Sequence, residues 1–149
     1  MIASFATASF AELDAATLYR LLKLRCDVFV VEQQCAYPEL DGRDTEPGTT
    51  HLWLDDEHGA VTAYLRVLTE PDGGARIGRV VTAKSARGQG LAGRLLQDAL
   101  DHIGPGRPAV LDAQTDAIRI YQRFGFEPSG PPFVEDGIEH LPMRRPATT

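Results

Sequence analysis

The chain predicts an α+β fold, with a mixed, mostly antiparallel central sheet flanked by helices in the order β-α-β-β-β-α-β-α-β-β. Three observations carry that reading. Three short strand patterns occupy residues 51–83 and are separated by two strong turn signals, Asp56–Gly59 and Pro71–Gly74. The last of these strands runs into a glycine-rich turn that opens an amphipathic helix. A second, shorter helical stretch closes at Gly125 before a final pair of strand patterns.

Residues 5–10 form a weak first strand. Residues 13–33 read as one helix, with Asp14 as N-cap and Leu18, Leu21, Leu22, Val28 and Phe29 at helical spacing. Arg25 falls inside that apolar stripe, so its burial demands a partner, and Glu32, two turns on, is the expected one. Residues 38–48 are a loop rich in Asp, Gly and Pro. Strands follow at 51–55, 60–68 and 75–83. In the second of them Val61, Ala63, Leu65 and Val67 share one face, and Thr62, Tyr64 and Arg66 the other. Gly78 marks a bulge or a close backbone approach. A helix at 90–103 buries Leu91, Leu95, Ala99 and Ile103. A buried strand at 109–113, a helix at 115–124 and a strand pair at 126–134 and 138–144 complete the chain.

With 149 residues, 43% hydrophobic and 24% charged, the chain reads as one globular domain, with disorder expected only over residues 146–149. A net charge of −6 argues against general nucleic-acid binding, which needs a basic surface. No apolar run is long enough to span a bilayer, and residues 1–12 lack the basic and apolar regions of a signal peptide. Two cysteines, Cys26 and Cys35, fit a reducing cytoplasm and match no zinc or redox spacing, so no metal is expected.

The turn at Arg87-Gly88-Gln89-Gly90-Leu91-Ala92-Gly93 is the most informative stretch. Glycines let successive N–H groups converge, and the first N–H groups of a helix are unpaired and electropositive, which together make an anion cradle. A nucleotide P-loop is excluded because no Gly-Lys-Ser/Thr is present. The dinucleotide fingerprint G-x-G-x-x-G is met literally at 88–93. However, Lys84–Arg87 separate it from the strand, and that strand belongs to a meander. A turn that caps a helix and binds nothing is the plain alternative.

Arg87-x-x-Gly90-x-Ala92, after a strand ending Val80-Val81-Thr82, resembles the Q/R-x-x-G-x-G/A motif of the GNAT superfamily of N-acyltransferases. Residues 117–126, with Tyr121 before Gly125-Phe126, resemble its second signature. Residues 24–33, 41–44, His51 and 133–140 are similar to the ElaA-like branch. The resemblance implies that acetyl-coenzyme A is the co-substrate. Its pyrophosphate would lie on the amides of Gly88, Gln89, Gly90, Leu91, Ala92 and Gly93, with charge from Arg87, and its pantetheine arm beside Val80, Val81 and Thr82. It further implies transfer of an acetyl or short acyl group to a primary amine, a small molecule or peptide, by direct attack in a ternary complex. A homodimer is left open.

Tyr121 is the expected general acid, because a phenol can protonate a departing thiolate without ionising at neutral pH. It also completes an apolar stripe with Ala117, Ile120 and Phe124, so packing alone is the alternative. Glu32 and His140 lead the candidates for general base, followed by His51, Asp112 and Glu135. Arg25, Phe29, Asp41 and Arg66 are candidates for acceptor binding. With Asp44 they are similar in type and order to a constellation in acyl-homoserine-lactone synthases, where Asp41 and Asp44 would hold a cationic acceptor. A coenzyme A sensor without catalysis is the remaining alternative.

Overall fold

The computed structural model describes residues 4–148. Met1–Ala3 and Thr149 lie outside the described residues, so the expectations for the leading segment and the tail fall partly beyond them. The elements are β1 (Ser4–Ser9), α1 (Ala15–Arg25), β2 (Thr50–Asp55), β3 (Val61–Thr69), β4 (Ala75–Thr82), α2 (Leu91–Ile103), β5 (Ala109–Gln114), α3 (Ile118–Arg123), β6 (Glu127–Pro128), β7 (Phe133–Glu135) and β8 (Ile138–Arg145). One sheet runs β1-β2-β3-β4-β5-β8-β6, with β7 also paired to β8. Its only parallel pair among the described residues is β4–β5. The predicted mixed, mostly antiparallel sheet with flanking helices is what forms. Among the described residues no helix is long and apolar enough to cross a membrane.

Both faces of β2 and β3 are covered. On one, Leu95, Leu96, Ala99 and Leu100 of α2 pack on Leu52, Leu54, Ala63, Leu65 and Val67. On the other, Leu21, Leu24, Val28 and Phe29 pack on Trp53, Tyr64 and Val81. The strand alternation seen in the sequence therefore separates two buried layers rather than a buried and a wet face. At about 25 cal/mol per Å² of apolar surface removed from water, these two layers dominate the stability of the fold.

The first helix departs from expectation. Asp14 does cap α1, accepting from the Thr17 N–H at 2.7 Å. The α-helix then stops at Arg25, and Cys26–Glu32 continue as a π-helix with bonds reaching five residues back, such as Gln33 N to Val28 O at 2.9 Å. The wider turns rotate Glu32 away from the Arg25 face. The expected Arg25–Glu32 pair does not form: Arg25 turns to Glu39 and Asp44, and Glu32 to Arg87.

The two terminal strands also differ. The predicted strand at 126–134 is split into β6 and β7, both antiparallel to β8. Pro131 and Pro132 fall in the gap, where their missing N–H groups cannot join a ladder.

Two irregularities in β4 shape the site. Tyr64 faces Val81 while Arg66 faces Gly78, so Arg79 and Val80 together oppose Leu65 alone. This is the bulge expected near Gly78, but the residue in the left-handed region is Arg79, at φ 54°. Beyond Arg76, β4 and β5 part. Their pairing is confined to Ala75–Ala109 and Arg76–Val110, which opens a V in the middle of the sheet.

Candidate active site

The V is the floor of a cleft of about 730 Å³. Val80, Val81 and Thr82 of β4 form one side. Tyr121, Ala92 and His140 of β8 line it too. Glu32, Phe29, Asp41, Arg66 and Arg87 also border it. Arg25 does not; it is 1% exposed and lies behind the wall. Gly88, Gln89, Gly90, Leu91 and Gly93 do not line the cleft; they form the turn and the start of α2 beyond it.

That turn is built as a cradle. Gly88 and Gly90 sit at φ 81° and 74°, a region open to glycine at little cost. Gly90 is the N-cap of α2, and the first internal bond of the helix runs from Arg94 N to Gly90 O at 3.1 Å. Among the described residues the N–H groups of Gly88 and of residues 90–93 make no backbone hydrogen bond. A row of unpaired, electropositive N–H groups at a helix start fits a pyrophosphate. Gly93 is already helical; a Cβ there would meet Ile120 Cδ1 at an ordinary 3.6 Å. Arg87 donates to Glu32 through both Nη atoms at 2.6 and 2.8 Å and through Nε to Thr82 O at 3.2 Å. Its hydrogen bonds hold the Glu32 carboxyl below the ordinary value.

Tyr121 is 7% exposed and packs edge-on against Phe126. Burial first, then the negative charge of Asp116, push its phenol up to about 12. The hydroxyl stays protonated throughout the neutral range. Both readings of Tyr121 meet here, since the side chain is part of the core and also of the cleft wall.

Beside β4 lies an ionic cluster that is buried at Arg25, Glu39, Asp44 and Arg66 and reaches the cleft at Asp41 and Arg79. Arg25 donates to Glu39 Oε2 at 2.6 Å and to Asp44 at 2.8 and 3.1 Å. Arg66 donates to Asp41 at 2.6 and 3.0 Å and to Asp44 at 3.0 Å. Arg79 pairs with Glu39 at 3.0 Å and Asp41 at 3.5 Å. Three guanidiniums thus meet three carboxylates, so the cluster is neutral. Burial pushes the Asp41 and Asp44 carboxyls up, and the guanidiniums outweigh it, leaving both below the ordinary value. The two aspartates expected to hold a cationic acceptor are instead saturated by the chain's own arginines.

The base candidates separate by geometry. His51 is 1% exposed and sealed away from the cleft. Its Nε2 donates to Asp44 O at 3.0 Å, its Nδ1 accepts from Tyr64 Oη at 2.6 Å, and burial lowers its pKa. Asp112 lies 3.3 Å from Arg76. Glu32 is engaged by Arg87. Glu135 borders the cleft on the β7–β8 hairpin. His140 stacks on Phe133 with ring centres 5.5 Å apart. Its Nδ1 lies 2.9 Å from Ile138 O, which can only accept, so Nδ1 carries a proton and Nε2 is the ring nitrogen left to meet a reactant.

Sequence reasoning missed three members of this cluster. Tyr37 donates to Glu39 Oε1 at 2.6 Å, Glu39 joins Arg25 to Arg79, and Arg79 lies over the Tyr37 ring at 5.5 Å. The only available signal was Arg25 in an apolar stripe followed by an acidic loop.

The Acetyltransferase (GNAT) domain pattern matches residues 23–146. A UPF0039 protein of Mycobacterium bovis is 50% identical over 140 residues, covering 92% of this chain and 89% of that one. Protein ElaA of Escherichia coli is 39% identical over 142 residues, 91% of each chain. The crystal structure of an acyl-CoA N-acyltransferase from Pseudomonas aeruginosa superposes with a TM-score of 0.90 at 40% identity, over 97% of this chain and 100% of that one.

Proposed function

This chain belongs to the GNAT acetyltransferase family, which transfers acyl groups from acyl-coenzyme A, and we propose that it moves an acetyl or short acyl group to a primary amine by direct attack in a ternary complex. One observation carries the reading. An unpaired strand edge at 77–82 leads through the short turn at 83–87 into a row of free amides, with a protonated phenol lining the same cleft.

The β4 edge would pair with the amides of a pantetheine arm as an added strand does. The pyrophosphate would take the N–H groups of residues 88–93, with Arg87 beside them. Binding both reactants in the V supplies proximity, and a backbone N–H near Val81 supports the developing oxyanion. Tyr121 then gives its proton to the leaving sulfur. A phenol at about 12 is a weak acid for a thiol of about 8.5 in water. The thiolate, however, is released into the same dry space, and the burial that raises the phenol raises the thiol as well. His140 Nε2, which makes no hydrogen bond among the described residues, is the acceptor we assign to the amine proton, directly or through water.

The test is thiol release from acetyl-coenzyme A across a panel of amines. Tyr121→Phe should lower turnover by roughly 10²–10⁴ while coenzyme A affinity, measured by calorimetry, stays unchanged. Unchanged turnover removes Tyr121 from the chemistry. Binding without release for every amine favours a sensor.

A further inference from the structure

Arg79 stands in the left-handed region with a full side chain and no local polar group to favour it. Such backbone persists only where its surroundings enforce it. Here the enforcement is visible. The guanidinium pairs with Glu39 Oε1 at 3.0 Å, donates to Glu39 O at 3.1 Å, reaches Asp41 at 3.5 Å and lies on the Tyr37 ring. Glu39 is itself fixed by Arg25 from α1, and Asp41 by Arg66 from β3. The side chain of the bulged residue is therefore held by an ionic cluster that spans a helix, a loop and a neighbouring strand.

We propose that Arg79 is a positioning residue: its ion pairs hold the β4 bulge, and the bulge holds residues 80–82 away from β5 so that an acyl-carrier arm can lie between them. This rests on the reading of the cleft given above. A bulged strand bends, and β4 leaves β5 within three residues of the bulge, after Arg76. Without the clamp, an ordinary side chain at position 79 would return to the β region. The strand would then straighten toward β5 and the slot would narrow. The acidic loop at 39–44 acts here as the anchor of the groove.

Glycine separates this role from plain ion pairing, because it holds φ 54° without help. Arg79→Gly loses every ion pair but keeps the bulge, while Arg79→Ala loses both. Coenzyme A should bind Arg79→Gly within about twofold of wild type and Arg79→Ala about tenfold more weakly, the ratio set by the left-handed penalty on a Cβ. Crystal structures should show a positive φ at residue 79 in the glycine variant and a regular strand in the alanine variant. Equal affinities for the two variants, or a bulge intact in Arg79→Ala, overturn the proposal. Should Arg79→Ala not fold, Arg79→Lys replaces it. Lysine keeps a Cβ and a cation but not the fork, so binding no weaker than in Arg79→Gly overturns the proposal too. If wild type binds no coenzyme A, the reading of the cleft fails, and the crystallographic comparison still decides whether Arg79 holds the bulge.

Discussion

Asp44→Asn would remove one of the three negative charges from the buried cluster and leave Arg25 and Arg66, 1% and 3% exposed, facing each other across a neutral amide. Asp44 is the one carboxylate that joins these two guanidiniums. Its Oδ1 lies 2.8 Å from Arg25 Nη1 and 3.0 Å from Arg66 Nη1. Breaking a buried pair by removing one partner costs about 3–5 kcal/mol, against a total stability of roughly 5–15 kcal/mol. For a chain of this length that is a fall in Tm of roughly 6–20 °C. Chemical denaturation at pH 7 and calorimetry read both quantities. The pH dependence has a definite sign. The folded Asp44 carboxyl lies below its ordinary value, so its contribution is complete above the unfolded pKa of about 3.9 and fades as pH falls through the folded one. The deficit of Asp44→Asn should be constant from about pH 5 to about pH 8 and shrink below about pH 4. Adding Arg66→Met restores neutrality, since Arg25 and Arg79 then face Glu39 and Asp41. The double variant should be more stable than Asp44→Asn alone. A single-variant cost below about 1 kcal/mol, or a double variant no better than the single, refutes the reasoning.

Gly90→Ala forces a Cβ to φ 74° in open space, so it should strain the turn by about 1–2 kcal/mol and weaken coenzyme A binding in calorimetry. Gly93→Ala, inside α2, should instead add about 1 kcal/mol of stability by thermal denaturation and leave binding intact. Asp116→Asn removes a negative charge that helps raise the Tyr121 phenol, so the basic limb of the kcat profile should move to lower pH. Glu32→Gln frees Arg87 from an exposed pair. The expected result is an unchanged Tm and unchanged or tighter coenzyme A binding; weaker binding would mean that the pair orients Arg87 for its ligand.

The strands, turns and α2 were legible because their signals are local: alternation, Gly and Pro at turns, an apolar stripe. The glycine turn and Tyr121 were legible because short motifs fix both residue type and spacing. The π-helix was not, since Val28 and Phe29 keep an apolar pattern that suits either helix, and only the hydrogen-bond ladder distinguishes them. That one misreading sent Arg25 to the wrong partner. Arg79 was illegible for a different reason. Its conformation is dictated by Glu39 and Asp41, forty and thirty-eight residues earlier, and nothing in its own neighbourhood except Gly78 hints at it. The split between β6 and β7 could have been read from Pro131-Pro132, whose effect on a ladder is local.

The gap between β4 and β5 also governs what can enter. Exposed strand borders at a sheet's rim invite other proteins to add on, and folds usually blunt them. Here the bare border lies inside the sheet, with a strand on either hand. Since neighbouring strands sit about 4.8 Å apart, a slender, extended guest laid along that border would meet it as an adjoining strand does. A molecule that keeps its unsatisfied backbone indoors can leave it sticky for a thin visitor without becoming prone to self-association there.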